Sequence, residues 1–392
     1  MIEGRNIICL ASNWSYDPTS KHHVMRILSE RNHVIWVNYH ASRRPRLSAA
    51  DMGAVVGKLR QFAEGPRRVS EGMTVLTPMV VPLPGSAAAT AVNRSLLVRQ
   101  IRSVLKTLPD RPVQLWSFAP DVSYLCGRFG EEAVVYYCVD EFSGFTGYDR
   151  EATLSAERRL CEKADIVFTT SSALYVAKSE WCRRCETVTH GVDFEHFALA
   201  MDETAATPAD IADIPGPILG FWGLIQDWFD VDLVAAAAHA RADWSFVLIG
   251  EAATDVSALR RLPNVHLLGR RPYESLPAYG RSFDVGLIPF RVNDLTHAVN
   301  PIKLREYLSA GLPVVSTPMP EVEVYREWVE IANGPEAFVA ACEKALVRIT
   351  PADRAARRER MKSETWPAKV ETLSDHVMSA IQPRQGVEAV VS

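Results

Sequence analysis

The first half of the chain alternates short apolar runs with polar, helix-like segments. The runs are rich in β-branched and aromatic residues and end in loops, which predicts buried strands at NIICLAS, HVIWVNY, VQLWSF, AVVYYCVDE and ADIVFTTS. Helices are predicted from Lys21, after a capping Ser20, to about Arg31 and over REATLSAERRLCEKA. Strands that alternate with helices indicate a parallel sheet covered on both faces. Residues 47–72 do not follow this alternation.

The alternation restarts in the second half. Acidic, Ala- and Pro-rich residues at about 200–217 predict a linker. Beyond it we predict helices at DVDLVAAAAHA and about 273–281, and strands at PILGFWG, WSFVLIG, VHLLG and DVGLIPF. A chain of 392 residues is too long for one ordinary core. The prediction is therefore an α/β protein with two doubly wound, Rossmann-like domains, whose ligands bind beyond the carboxyl ends of the strands.

Composition excludes several classes of protein. The chain is 47% hydrophobic and 23% charged, as ordinary globular proteins are. Its apolar runs are shorter than the roughly 20 residues needed to cross a bilayer, and MIEGRNIICLAS does not resemble a signal peptide. The seven cysteines follow no disulfide-framework spacing. We therefore expect a protein of the reducing cytoplasm.

Charge is distributed unevenly along the chain. Residues 1–190 carry 24 Lys and Arg against 19 Asp and Glu, whereas the remainder carries 19 against 28. The runs RRPR at 43–46, KLR at 58–60 and PRR at 66–68 contribute much of the basic excess. Either this is scattered surface charge, or the first domain faces an anionic partner such as a phospholipid surface or a lipid-linked phosphate. Nucleic acid is a poorer partner, because no aromatic residues alternate with the basic ones.

The stretch NPIKLREYLSAGLPVVST, residues 300–317, predicts a helix followed by a strand. Asn300 is expected to cap the helix, with Pro301 at its first position. Gly311 is expected to end it. The apolar face, with Leu304, Tyr307 and Leu308, is expected to pack inward.

Lys303 and Glu306 lie on a neighbouring face of the same helix. The amides at the helix start form an anion site, to which Lys303 adds a full charge. Glu306, one turn further on, could accept both hydroxyls of a ribose. Phosphate at the helix start and a diol one turn beyond it describe a nucleoside diphosphate. The alternative is an exposed Lys–Glu pair on a surface helix.

Several segments resemble those of two-domain glycosyltransferases of the GT-B fold. PIKLREYLSAGLPVVST is similar to the donor-binding segment of retaining family 4 enzymes, and HGVDFEHF to their interdomain segment. SKHHVMRILSERNHVIWV, YYCVDEFSGF and ADIVFTTSSAL resemble polysaccharide and teichuronic-acid type enzymes. The resemblance implies an acceptor-side domain over 1–190, a nucleotide-sugar domain over 191–365 across a cleft from it, and a C-terminal helix over 366–392 that crosses back to the first domain.

The resemblance also assigns roles to individual residues. It gives the ribose to Glu306 and the diphosphate to Asn300, Lys303 and backbone groups. Gly223 would let the chain approach the phosphates closely. Gly250 and Glu251 lie at the end of the neighbouring strand WSFVLIG, at the same edge of the sheet. The base is assigned to main-chain contacts of Leu268, Gly269 and Arg270.

The sequence departs from the family pattern at three positions. Ala298 stands where these enzymes carry a Glu that touches the donor sugar, and Leu224 and Phe229 replace a basic pair. A departing diphosphate needs positive charge. Arg291, His297 and Lys303 are the nearest candidates to supply it.

In the first domain, two histidines and two carboxylates follow predicted strands. His22 and His23 open a helix, and adjacent helical residues point about 100° apart, so at most one is expected to reach a site. The alternative is a polar helix start. Asp140 is given a role in positioning the acceptor hydroxyl, with general-base catalysis as a further possibility. For Asp140 and Glu141 the alternative is a helix cap or an ion pair.

Two further motifs have weaker functional interpretations. CRRC at 182–185 with His190 is an incomplete zinc set, and no metal site is expected. Trp222 and Trp228 could stack on a base or sugar, or could fill a core.

The sequence thus predicts a glycosyltransferase of bacterial surface polysaccharide synthesis. It would move a sugar from a UDP or GDP donor to a glycan or lipid-linked acceptor with retention, without a cofactor or metal, in the cytoplasm or at the inner face of the membrane. One alternative is a nucleotide-sugar epimerase of the same fold. Another is a non-catalytic nucleotide-sugar-binding partner in polysaccharide assembly.

Overall fold

A computed structural model describes residues 1–39, 65–81, 83, 86–202, 204 and 206–381. The chain forms two compact units. The first comprises Met1–Thr189 together with the C-terminal residues from Lys369, and the second comprises His190–Ala368. The basic runs at 43–46 and 58–60 lie outside the described residues.

The first unit is built on a mainly parallel sheet. Within the described ranges this sheet has eight strands, in the order β3-β4-β2-β1-β5-β6-β7-β8. They are β1 (Asn6–Ala11), β2 (His33–Asn38), β3 (Arg67–Ser70), β4 (Met73–Leu76), β5 (Val113–Ser117), β6 (Ala133–Cys138), β7 (Ile166–Thr169) and β8 (Cys185–Thr187). The five predicted strands are confirmed as β1, β2, β5, β6 and β7. The order reverses between β1 and β5, which pair with each other.

Part of the segment that did not follow the alternation is a strand. β3 pairs antiparallel with β4, the one antiparallel pair among the described strands, and contains Arg67 and Arg68 of the basic PRR run. A hairpin at a sheet edge needs no crossover helix, so the strand–helix alternation could not predict it.

Four helices of the first unit lie before residue 190 in the described part of the chain: α1 (Ser20–Ser29), α2 (Ala87–Leu105), α3 (Arg150–Cys161) and α4 (Ser172–Lys178). The predicted capping role of Ser20 is wrong. Thr19 is the N-cap, with extended backbone (φ −130°, ψ −175°), and Ser20 is the first helical residue. Asp149 caps α3 by accepting a hydrogen bond from the Ala152 amide.

The second unit has a wholly parallel sheet in the order β11-β10-β9-β12-β13-β14, as far as the described residues go. Its strands are β9 (Ile218–Trp222), β10 (Ser245–Ile249), β11 (Val265–Gly269), β12 (Val285–Ile288), β13 (Val314–Ser316) and β14 (Val329–Ile331). This order is that of a dinucleotide-binding sheet, and it reverses between β9 and β12. Ligands of such sheets bind beyond the carboxyl ends of the strands at that point.

Helices lie between most of these strands in the chain. They are α5 (Phe194–Ala198), α6 (Val231–Ala240), α7 (Ser257–Arg260), α8 (Leu276–Ser282), α9 (Asp294–His297), α10 (Ile302–Ser309), α11 (Pro320–Glu323), α12 (Pro335–Leu346) and α13 (Pro351–Met361). The last helix, α14 (Trp366–Ile381), begins in the second unit and continues in the first. No described helix is both long and apolar enough to cross a membrane.

The segment predicted as a linker packs on the second unit instead. Ile211 is buried in the core of that unit. Asp210 forms an ion pair with Arg271 at 2.6 Å and accepts a hydrogen bond from the Tyr279 hydroxyl. Its acidic, Ala-rich composition resembles a linker because only a few of its residues face the core.

Candidate functional site

Glycines follow three adjacent strands at the carboxyl edge of the second sheet. Gly223 follows β9, Gly250 follows β10, and Gly269 ends β11, with φ of 130°, 145° and 71°. The Gly250 amide donates to the Gly269 carbonyl at 2.9 Å, and the Gly223 amide donates to Ile249 at 2.8 Å. A Cβ on Gly250 would lie 1.9 Å from the Gly223 carbonyl oxygen, so no other residue fits there. This edge is therefore open backbone without side chains.

The helix α10 starts one residue later than predicted. Pro301 is its N-cap, with no side-chain cap hydrogen bond, and Ile302 is its first residue. Gly311 ends it as predicted, with φ of 76°. Its amide donates to Leu308 at 3.0 Å and the Leu312 amide donates to Tyr307 at 2.9 Å, the two bonds of a Schellman motif.

Lys303 lies at the point where the order of the second sheet reverses. Its Nζ is 5.4 Å from the Phe221 ring centroid, on β9, and 5.7 Å from that of Phe290, just after β12. It also covers Gly223, where a Cβ would meet Lys303 Cε at 2.3 Å. Gly223 thus leaves room for the lysine side chain, and Lys303 brings a positive charge to the place where such sheets bind ligands.

Glu306 is buried beside Lys303 on the same helix. The Trp222 indole N–H donates to Glu306 Oε2 at 2.7 Å. Burial raises the pKa of Glu306, while Trp222 and Lys303 oppose that rise and Asp193 adds to it. Leu304, Tyr307 and Leu308 are fully buried on the inward face, as predicted. The pair is therefore not an exposed surface pair, since only 9% of Glu306 is exposed.

The structure corrects the roles expected of Asn300. It neither caps α10 nor points into solvent, since it is 3% exposed. Its Nδ2 donates to Glu321 Oε2 at 3.1 Å, and Arg305 Nη1 donates to its Oδ1 at 2.7 Å. Arg305 is itself buried and lies 3.7 Å from Glu364. With both ends of its amide in this network, the Asn300 side chain supports the loop before α10 rather than presenting an anion-binding group.

The remaining predicted residues of this edge lie at the surface. Arg270 and His297 are exposed, and Arg291 lies 3.8 Å from the Asp232 carboxylate. The Leu268 and Arg270 carbonyls both accept hydrogen bonds from Arg271 Nη1, at 2.5 and 3.1 Å. Each of these carbonyls therefore keeps one lone pair for a further donor.

The three departures from the family pattern fall at different depths. Leu224 is 38% exposed on the loop after β9, whereas Phe229 is fully buried against Phe221 at 4.9 Å. Ala298 is buried at the end of α9. Among these three positions only Leu224 faces solvent. None of the three residues carries a charge, so none of them replaces the missing basic pair.

Trp222 is a core residue with a polar function. Its ring contacts Tyr307 and Phe197, with centroids 4.4 and 5.7 Å away, and its main-chain amide donates to the Tyr307 hydroxyl at 3.2 Å. Of the two alternatives considered for Trp222, stacking on a ligand or filling a core, the structure supports the core, because only 2% of the residue is exposed. Trp228 is half-buried. An isolated tryptophan gives no sequence signal for a hydrogen bond to a carboxylate 84 residues away.

In the first unit, His22 is a structural residue. It is fully buried, its Nδ1 accepts a hydrogen bond from the Thr19 amide at 3.2 Å, and its ring stacks on Trp36 at 4.8 Å. Burial, helped by Lys21 and Arg26, lowers the pKa of His22 to about 3. The expected catalytic role of His22 is therefore wrong, and His23, the other candidate, is half-buried.

Asp140 follows β6 at the carboxyl edge of the first sheet and is half-buried. Sequence reasoning missed its cationic neighbour, Lys21, which opens α1 after β1. Burial lowers the pKa of Lys21, and the Asp140 carboxylate opposes this effect. A lysine at a helix start gives no sequence signal for a partner more than a hundred residues away.

Glu141 takes part in a buried ion cluster. Lys178 Nζ lies 2.9 Å from Glu141 Oε2 and 2.8 Å from Glu157 Oε2. The Tyr136 hydroxyl donates to Glu157 at 2.6 Å. Burial would raise the pKa of Glu141, but Lys178 and the donors of Ser143 lower it below the ordinary value. Glu141 is thus an ion-pair partner and the cap of the turn Phe142–Gly144, which was the alternative considered for it.

Comparison with known proteins finds a family match within the second unit and a set of similar folds. Residues 216–348 match the family Glycosyl transferases group 1. The chain is 33% identical over 254 residues to "Putative teichuronic acid biosynthesis glycosyltransferase TuaH" of Bacillus subtilis (strain 168), a match that covers 59% of this chain and 63% of that relative. The chain therefore spans less than two thirds of the length of this relative.

Two solved structures are similar over nearly the whole chain. Sucrose-phosphate synthase from Thermosynechococcus elongatus has a TM-score of 0.68 at 15% identity, covering 96% of this chain and 98% of that chain. A protein described as trehalose-6-phosphate from E. coli bound with UDP-2-fluoro glucose has a TM-score of 0.64 at 11% identity, covering 97% and 99%. At these identities the similarity concerns the fold, which is GT-B, as expected.

Proposed function

We propose that this protein moves a sugar from a nucleoside-diphosphate donor to an acceptor, because residues 216–348 match the family Glycosyl transferases group 1 and the fold is GT-B. The observation that carries the proposal is the arrangement of Lys303, Glu306 and Gly223 at the reversal point of the second sheet. A cation, a carboxylate one turn further along the helix and an open backbone edge match the diphosphate and ribose of such a donor.

Each part of the donor has a partner of suitable chemistry. Lys303 and the amides at the start of α10 bind the diphosphate, with Gly223 allowing close approach. Glu306 accepts from the ribose hydroxyls through Oε1, since Oε2 is held by Trp222. The base lies at residues 268–270. The donor is UDP- or GDP-linked, and the UDP-sugar bound by the similar E. coli protein favours uracil.

The chemistry requires stabilisation of the departing diphosphate and placement of an acceptor hydroxyl. Lys303 stabilises the negative charge that develops on the diphosphate, supported by Arg291 and His297 on the neighbouring loop. The reaction proceeds with retention, and the departing phosphate takes the acceptor proton. Asp140 then needs only to orient the acceptor, aided by Lys21 and His23, and no metal or other cofactor takes part.

The acceptor is a glycan or a lipid-linked sugar of bacterial surface polysaccharide synthesis, as the teichuronic-acid relative suggests. A basic surface on the first unit supports the proposal that the protein binds an anionic partner at the inner face of the membrane. Arg94, Arg99 and Arg102 of α2, with Lys106 directly after it and Arg128, line one groove. Residues 72–109 contain no Asp or Glu. Next to it Val92 and Leu96 are exposed. Phospholipid headgroups attract such a surface electrostatically.

A second candidate is a protein that binds the nucleotide sugar without turning it over. It is favoured by the lost basic pair, because Phe229 is buried and Leu224 carries no charge. Lys303 alone then faces the diphosphate from the helix, which suffices for binding but weakens catalysis. An enzyme releases free nucleotide from the nucleotide sugar when acceptor is present, whereas a protein that only binds the donor does not. Nucleotide release measured with and without acceptor therefore separates the two functions.

The experiment is isothermal titration of the full chain with UDP, GDP and their glucose conjugates. We expect binding of one nucleotide and its sugar. In Glu306→Ala the dissociation constant should rise at least about tenfold, since hydrogen bonds to a charged group contribute about 1.5–3 kcal/mol. Glu323→Ala is the control, because Glu323 lies 3.3 Å from Arg326 on an exposed face. Equal binding by both variants would place the ribose elsewhere.

A further inference from the structure

One arginine of the second unit joins the loop after β11 to the segment that precedes β9. Arg271 lies two residues after the end of β11, and Asp210 lies in the segment at about 200–217. Arg271 Nη2 and Nε lie 2.6 and 3.0 Å from Asp210 Oδ2. The Tyr279 hydroxyl, on α8, donates to Asp210 Oδ1 at 2.9 Å and accepts from Arg271 Nε at 3.0 Å. One side of the guanidinium is therefore fixed by two partners from other parts of the unit.

The other side of the same guanidinium holds the backbone of the loop. Arg271 Nη1 donates to the Leu268 carbonyl at 2.5 Å and to the Arg270 carbonyl at 3.1 Å. The carbonyl between these two, that of Gly269, accepts from the Gly250 amide at 2.9 Å. Three successive carbonyls at the end of β11 are thus held in place from within the second unit.

We propose that Arg271 is a positioning residue for the base of the nucleotide donor, an inference that rests on the proposed function. Its guanidinium holds the Leu268 and Arg270 carbonyls at one side, and the second lone pair of each carbonyl accepts an N–H group of the base. Uracil offers one such group, at N3, and guanine offers two, at N1 and at its amino group. Arg271 does not itself touch the base, since it acts through the two carbonyls.

The loop lies at a suitable distance from the proposed diphosphate site. β11 pairs with β10 and β10 pairs with β9, so two strand spacings separate Gly269 from Gly223, which Lys303 covers. Neighbouring strands lie about 4.8 Å apart, which places the end of β11 about 10 Å from that of β9. The ribose of a nucleoside diphosphate separates its base from its phosphates. A nucleotide that extends along this edge from Lys303 therefore brings its base to the loop after β11.

A purely structural role for Arg271 would be to hold the segment that contains Asp210 against the unit. Arg281 holds the same segment in another way, because its Nη1 donates to the Asp202 carbonyl at 3.0 Å and its Nη2 to the Thr207 hydroxyl at 3.1 Å. Neither of these bonds reaches the loop after β11. The two arginines therefore separate support of the segment, which they share, from support of the loop carbonyls, which Arg271 provides.

The test is isothermal titration of the full chain and its variants with UDP and GDP. Both nucleotides contain the same ribose diphosphate, so the ratio of their dissociation constants reports on the base. In Arg271→Met the dissociation constant of the preferred nucleotide should rise at least about fivefold, because the hydrogen bonds to its base are lost. The other nucleotide should lose less affinity, so that the ratio moves towards one. Arg281→Met is the matched control and should leave the ratio unchanged.

A second variant keeps the test valid if Arg271→Met is unstable. Arg271→Lys retains the positive charge beside Asp210, but a single ammonium cannot reach Asp210 and both loop carbonyls as the guanidinium does. Its thermal unfolding should therefore resemble that of Arg281→Met. Its ratio of dissociation constants should nevertheless move towards one.

The outcomes distinguish failure of this inference from failure of the proposed function. If Glu306→Ala weakens nucleotide binding while both Arg271 variants keep the ratio of the parent chain, the donor site stands and the role of Arg271 is wrong. An equal loss of affinity for UDP and GDP in these variants would also overturn the inference, because it would indicate a general effect on the site. A parent chain that binds UDP and GDP equally would overturn the inference alone, whereas one that binds neither would overturn the proposed function with it.

Discussion

Replacing Trp222 with Phe is expected to destabilise the protein by an amount that depends on pH. The substitution keeps an aromatic ring against Phe197 and Tyr307 but removes the indole N–H that lies 2.7 Å from Glu306 Oε2. A hydrogen bond to a charged group contributes about 1.5–3 kcal/mol. We expect that loss in the free energy of unfolding when Glu306 is ionised, in addition to the cost of the smaller side chain.

The pH dependence follows from the raised pKa of Glu306 in the folded protein. Burial is its main cause, and the Trp222 hydrogen bond opposes it. A carboxyl whose pKa is higher in the folded state binds its proton more tightly there. Its contribution to stability is therefore present below the unfolded pKa and lost as the pH rises through the folded pKa. Trp222→Phe raises the folded pKa further, so this loss becomes larger.

The assay is urea unfolding at about pH 5 and about pH 8, because Glu306, whose pKa is raised in the folded protein, is more ionised at the higher value. Trp244→Phe is the matched control, because Trp244 is also buried in the second unit but contacts Arg241 and Phe246 rather than a carboxylate. The cost of the lost volume is common to both variants. If Trp222→Phe loses no more stability than the control at pH 8, or the same amount at both values, the inferred role of the hydrogen bond is wrong.

Three further outcomes are expected. Asp140→Asn should leave the affinity for the donor unchanged, while the initial rate of sugar transfer falls at least about tenfold because the acceptor hydroxyl is no longer held in place. Full transfer activity in this variant would remove Asp140 from the mechanism. Lys178→Met should lower the free energy of unfolding in urea by about 3–5 kcal/mol, because two carboxylates lose their buried cation. The control, Arg158→Met at an exposed ion pair, should cost about 0.5 kcal/mol. Similar losses in both variants would contradict the importance of the cluster. Gly250→Ala should lower the free energy of unfolding more than Gly127→Ala does. Gly127 also has a positive φ but has open space around it, so that its replacement should cost about 1–2 kcal/mol. Equal losses would mean that the close backbone contact at Gly250 is unimportant.

The sheets could be predicted from the sequence because their central strands are mostly apolar and buried. β9 and β10 are buried at every position, and such runs are recognisable wherever a helix pattern separates them. The hairpin β3–β4 was not predictable in this way, because its first strand is mostly exposed and carries two arginines. Periodicity detects the faces that elements bury, and an edge strand buries little.

The backbone roles of individual glycines could be predicted from the sequence, whereas contacts between side chains far apart in the sequence could not. Gly311 and the open edge at Gly223 follow from local backbone requirements, which the sequence states directly. Asn300 has the right residue type for a helix cap, but Arg305 and Glu321 hold its amide, and only the folded structure shows that competition. His22 likewise reads as a polar helix start until Trp36 is placed against it.

The departures from the family pattern and the surroundings of Lys303 bear on the same question of charge. An enzyme that releases a diphosphate needs positive charge where that group departs. Phe221 and Phe290 flank the Lys303 ammonium and keep water from part of it. A charge with less water around it interacts more strongly with an approaching anion. The apolar replacement at Phe229 packs against Phe221, so it belongs to this same wall. Phe229, at a position where the resembled family carries a basic residue, thus helps to build the surroundings in which we propose that Lys303 acts on the diphosphate.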